Sequence, residues 1–164
     1  MRGKRGFSVI ELLIAVGIIG ILAAIAINNY YNALHRTKQK RTMADIRGIA
    51  VAWEARAVDA RQYNAAGAGF ALPATPLTYA DLKMMLSPTY IGNLPANDGW
   101  GNALEFSLDK PVGGAAAAEY SIRSPGRDAR YQSSYAVGPT TDFDCDIVYS
   151  NGGFVVWPEG TQQK

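Results

Sequence analysis

One cysteine and one histidine in 164 residues exclude whole classes of chemistry. A lone Cys145 cannot form an intrachain disulfide, and it leaves the redox compartment open. No histidine lies near Cys145 in sequence, so it does not read as a nucleophile. His35 reads as a solvated residue in a basic stretch. There is no Gly-rich phosphate loop, zinc-ligand spacing or Ser-His-Asp candidate set. Charge is sparse too: 18% of residues are charged and the net charge is +2. Three positive charges (Arg2, Lys4, Arg5) precede an apolar run, and without them the balance is −1. That is not the composition of a nucleic-acid binder. No internal repeat is present. The expectation is a non-enzymatic chain with one small globular domain, since about 130 residues remain beyond the apolar run.

The run itself is the dominant feature. Phe7 to Ile27 is 21 residues long and apolar throughout, apart from the small Ser8 and one carboxylate, Glu11. As a helix it spans about 31 Å, one hydrocarbon core. It can be read as a membrane anchor or as a secretory signal, although a signal's apolar region is usually shorter and lacks an acid. Basic residues flank both ends, Arg2-Gly-Lys-Arg5 and His35-Arg-Thr-Lys-Gln-Lys-Arg41, so charge does not set an orientation. Glu11 is the anomaly. An acid at the bilayer centre costs roughly 2.5–3.5 kcal/mol, and taken alone it reads as a tolerated interfacial acid near a helix end.

A basic leader ending in Gly6, then Phe7, then Glu11 inside Phe-Ser-Val-Ile-Glu-Leu-Leu-Ile-Ala-Val-Gly-Ile-Ile-Gly resembles type IV pilins and type II secretion pseudopilins. The resemblance implies that a prepilin peptidase cuts after Gly6 and N-methylates the new terminus at Phe7. It implies an inner-membrane, single-pass protein with a periplasmic globular domain that polymerises into a helical filament. Its partners would be further copies, the prepilin peptidase, an inner-membrane assembly platform and minor pseudopilins or pilins. In that setting Glu11 gains a purpose. It lies one helical turn from the Phe7 amine and can compensate that charge within a subunit or in the next one. One departure stands out: Asn28 occupies a position where many members carry proline, leaving Gly17 and Gly20 as the weak points of the helix.

Beyond the membrane segment the sequence predicts that the helix continues to about Gln62. Met43, Ile46, Ala50, Trp53, Ala57 and Ala60 recur at three- and four-residue steps and should face a core. Lys40, Asp45, Arg47, Glu54 and Arg56 should face outward. The basic run Arg36 to Arg41 reads as a solvated face, with contact to lipid headgroups or nucleic acid as the alternative. Tyr63 to Pro76 reads as a loop. Thr78 to Leu86 reads as a short helix, with Thr78 as N-cap and Asp81 three residues on, ended by Ser87-Pro88. Leu104 to Leu108 and Tyr120 to Arg123 read as strands, and Ile147 to Trp157 as a hairpin turning at Asn-Gly-Gly153. The expected fold is α+β, a long N-terminal helix packed on a small antiparallel sheet, pilin-like. The expected organisation is a leader at 1–6, a membrane and assembly helix at 7–30, its amphipathic continuation at 31–62 and a globular domain at 63–164.

Two further stretches resemble the major pseudopilin of type II secretion. Asn97-Asp-Gly-Trp-Gly-Asn102 is similar to its D-P-W-G-N-P-Y segment. Tyr120 to Ala129 and Asp144-Cys-Asp-Ile147 are similar to segments that form a calcium-binding loop in that family. The implied ligands are Asp128, Asp144 and Asp146, with Asp142 as a fourth. Chemically, four acids within 19 residues suit Ca²⁺, which takes six to eight oxygens. If the segment is extended, Asp142, Asp144 and Asp146 share one side. Arg123, Arg127 and Arg130 lie nearby, and an Arg–Asp network is the alternative. The expected function is a structural subunit of a secretion pseudopilus, with a type IV pilus subunit as the alternative. A membrane-tethered periplasmic enzyme or binding module is the alternative of another class, and it leaves Glu11 unexplained.

Overall fold

The computed structural model describes residues 6–60, 72–111 and 117–162. Two compact units divide the chain, residues 1–35 and 36–164, and helix α1 (Val9–Ala60) contributes to both. Its 52 residues contain no proline, so every N–H after the first turn has a carbonyl to bond. The helix runs unbroken through Gly17, Gly20 and Asn28.

In the first unit the apolar side chains of α1 point outward on every side: Val9, Ile10, Leu12, Leu13, Ile14, Ile18 and Ile21 are all more than half exposed. A helix apolar all round needs an apolar medium or partner. It is the one helix among the described residues long and apolar enough to cross a membrane.

In the second unit α1 becomes one-sided. Ile46, Ala50, Trp53 and Ala57 are buried, which bears out most of the expected stripe. The buried face is wider than that stripe and takes in Gln39, Thr42, Ile49 and Ala52. Glu54 does not simply face outward, because it accepts a 2.6 Å hydrogen bond from the Tyr120 hydroxyl. A sheet covers a broader arc of a helix than a second helix does, so flanking positions are drawn in.

That sheet has six strands in the order β1-β2-β3-β5-β6-β4. They are β1 (Thr75–Leu77), β2 (Glu105–Leu108), β3 (Tyr120–Ser124), β4 (Gly138–Thr140), β5 (Ile147–Ser150) and β6 (Gly153–Pro158). Phe106 pairs with Ile122, and Ile122 with Tyr149. Phe106, Leu108, Tyr120, Ile122, Ile147 and Tyr149 join Ile46, Ile49 and Trp53 in one core. Trp53 and Tyr120 stack with centroids 4.7 Å apart. The alternate residues Glu105, Ser107, Ser121 and Arg123 take the opposite face.

Two strands differ from expectation. Thr75 and Pro76, read as loop, form edge strand β1 against Ser107 and Leu108. β4 pairs with β6 in parallel, so the sheet is antiparallel in four of its five pairings. Each edge strand is three residues long with proline at its centre, Pro76 or Pro139. Most of the expected loop from Tyr63, and the end of the helix near Gln62, lie outside the described residues. Helix α2 (Tyr79–Leu86) starts as predicted: the Thr78 hydroxyl oxygen accepts from the Asp81 N–H at 3.2 Å. Asn151 and Gly152 both take positive φ, 47° and 91°, and turn the β5–β6 hairpin. That is the backbone of a type I′ turn.

Candidate functional site

At the head of α1, Ser8 precedes the first helical residue and Glu11 is the third. The Ser8 N–H donates to Glu11 Oε2 at 2.9 Å. This is one half of a capping box, which satisfies an N–H that the helix cannot. Gly6 and Phe7 lie just outside the helix, and Phe7 is 82% exposed. Three sequence-predicted residues thus sit together at one helix start, and Glu11 already carries a local role there.

In the second unit Asn97 to Asn102 forms a tight turn that joins α1 to the C-terminal loop. Asp98 is buried, and its Oδ1 accepts from the N–H groups of Trp100 and Asn102, each at 2.9 Å. Its Oδ2 accepts from the Ser124 hydroxyl at 2.8 Å. Gly99 donates its N–H to Thr42 Oγ1 at 2.8 Å. A Cβ on Gly99 would stand 2.3 Å from the Lys38 carbonyl oxygen. Asn102 Nδ2 then donates to the Gly126 carbonyl at 2.7 Å. Asp98 and Ser124 were not singled out from the sequence. The signal was available, since an aspartate followed by glycine invites a side-chain turn onto the backbone two residues on.

Gly126 lies against the opposite limb of the loop, where a Cβ would be 2.7 Å from the Cys145 carbonyl oxygen. The next residue, Arg127, donates its N–H to the Phe143 carbonyl at 2.9 Å. Its guanidinium forks onto Asp144, with Nε to Oδ1 at 2.7 Å and Nη2 to Oδ2 at 2.8 Å. The Asp144 hydrogen bonds raise the Arg127 pKa further above its ordinary value. Asp142 Oδ1 accepts from the Asp144 N–H at 3.0 Å. Residues 142–145 are therefore a turn, not an extended segment, and the three aspartates do not line up on one side.

Asp146 is fully buried. Its Oδ2 accepts from the Tyr135 hydroxyl at 2.7 Å and the Gln132 N–H at 3.1 Å. Its Oδ1 has no hydrogen-bond partner. Burial pushes the carboxyl above its usual range despite those two donors. Tyr135 also accepts from Arg123, whose guanidinium pairs with Glu105 at 2.5 Å and lies 4.3 Å from the Tyr131 ring centroid. Asp128 is exposed and accepts from the Arg130 N–H at 2.9 Å. Among the described residues no three acids, histidines or cysteines gather where a metal ion could be held. Among the described residues only Asp146 leaves a buried side-chain oxygen without a hydrogen-bond partner. The four expected calcium ligands do not fit one coordination sphere as they are arranged here. Cys145 is half-buried, and its thiol pKa is raised, first by burial and then by the charge of Asp142. A thiol held protonated is a poor nucleophile.

Residues 1–27 match the family described as the prokaryotic N-terminal methylation motif. The chain is 39% identical over 62 residues to a fimbrial protein of Pseudomonas aeruginosa, covering 38% of this chain and 40% of that protein. It is 26% identical over 162 residues to type II secretion system core protein G of Dickeya chrysanthemi, covering 93% of this chain and 95% of that protein. The corresponding core protein G of Vibrio cholerae is 27% identical over 106 residues, 65% of this chain and 72% of that protein. No solved structure matches. The chain thus carries the N-terminal methylation motif and an α+β fold, and it is similar to a fimbrial protein over 38% of its length and to type II secretion core protein G over 93%.

Proposed function

We propose that this chain is the major structural subunit of a type II secretion pseudopilus. Residues 7–30 anchor it in the bacterial inner membrane, with the globular domain in the periplasm. The prepilin peptidase removes residues 1–6 and methylates Phe7. Copies then polymerise through their N-terminal helices on an inner-membrane assembly platform, joined by minor pseudopilins, and the growing filament drives folded proteins outward. The observation that carries this reading is the extent of the likeness: core protein G is similar over 93% of the chain, past the helix and into the globular domain. Deleting the gene in its source bacterium should leave secreted hydrolases trapped in the periplasm while twitching motility persists.

A second reading, a surface pilus subunit, is favoured by the higher identity to the fimbrial protein, 39% over 62 residues. Loss of surface pili and twitching, with export intact, would establish it in place of the first.

A further inference from the structure

We propose that Arg127 is a built-in cation that closes the C-terminal loop of this chain, in place of the calcium ion expected from its aspartates. Four aspartates between residues 128 and 146 would repel one another without a compensating charge. The fold delivers that charge from the opposite limb of the loop. Gly126 has φ 71° and no Cβ, so its backbone packs directly on the carbonyls of Phe143 and Cys145. This close approach places Arg127 so that one residue spans the two limbs three times. Its N–H holds the Phe143 carbonyl, and its Nε and Nη2 hold both oxygens of Asp144.

The planar fork matches a carboxylate edge-on, a geometry that lysine or a hydrated ion does not reproduce. A divalent ion would have to compete with the guanidinium for the Asp144 oxygens. The neighbouring acids are engaged as well. Asp142 fixes the Asp144 N–H, Asp128 turns to its own loop, and Asp146 is held by Tyr135 and Gln132. This closure is independent of whether the filament is a pseudopilus or a pilus.

The test is thermal unfolding of the full-length protein in detergent micelles, followed by tryptophan fluorescence. Trp53, Trp100 and Trp157 all lie in the second unit, so the signal reports on the globular domain. The wild-type melting temperature should agree within about 1 °C in EGTA and in about 1 mM calcium, a concentration that fills extracellular calcium modules. Arg127→Gln should lower it by about 3–6 °C. In an Asp144→Asn background the same change should cost much less, because the partner is already gone. A calcium-induced rise of several degrees in the wild type would overturn the proposal. So would an Arg127→Gln effect that is equal in both backgrounds.

Discussion

Asp146 is a fully buried carboxyl with one oxygen bonded twice and the other unpartnered. Its carboxyl is raised chiefly because burial withholds solvent from the charged form. A carboxyl whose native pKa exceeds its unfolded value binds a proton more tightly when folded. Its stabilising effect is complete below the unfolded value, about 3.9, and is lost as pH rises through the native value. Asp146→Asn cannot titrate, so the variant should gain on the wild type between pH 4 and pH 7. Urea midpoints at the two pH values measure this, and equal losses in both proteins would mean that Asp146 titrates as an ordinary surface acid. Little of this was legible in advance. Asp146 is legible as one acid among four, but its setting rests on hydrogen bonds from Tyr135 and Gln132, 11 and 14 residues away. Those contacts have no periodicity and leave no local signature. Glu11 is the contrary case: its offset from Gly6 and Phe7 marked it at once, and only its bond to the Ser8 N–H required coordinates.

The elements were easier to read wherever a pattern repeats. Three-and-four spacing marked α1, a threonine cap marked α2, and alternation marked β2 and β3. Asn-Gly marked the hairpin. β1 and β4 escaped because three residues are too few to alternate, and each owes its conformation to a neighbour strand. The turn at Asp98 shows how elements are locked together. Gly99→Ala would drive a Cβ into the Lys38 carbonyl at 2.3 Å and break the bond to Thr42. The expected cost is about 1–3 kcal/mol, as for other overpacked sites. Gly48→Ala is the internal contrast, since nothing lies within 4 Å of its Cβ position on the exposed face of α1. It should stabilise by up to about 1 kcal/mol through helix propensity alone. Urea unfolding with unchanged slopes distinguishes the pair, and similar midpoints for both would refute the close approach at Gly99.

For the whole molecule the decisive event is the proposed cut after Gly6. Glycine lets a protease reach the backbone, so Gly6→Val should leave full-length protein in the membrane. Intact-mass analysis of wild-type filaments should find an N-methylated Phe7 as the first residue, and Met1 retained in filaments would exclude the cut. Glu11→Val should still be processed but should assemble poorly. Removing one partner of a buried charge pair costs roughly 3–5 kcal/mol. A normal filament yield from Glu11→Val would reduce that residue to its capping bond with Ser8.

The two borders of the sheet bear on what such a molecule must avoid. β1 and β4 each have proline as their middle residue, and proline contributes no N–H to a passing strand. Three residues are also too short a template for a stable ladder. In the proposed filament, subunits crowded side by side would otherwise be exposed to runaway sheet-to-sheet zippering, the route to amyloid. Blunt borders close that route and, on that reading, leave the long apolar helix as the surface through which one copy recruits the next.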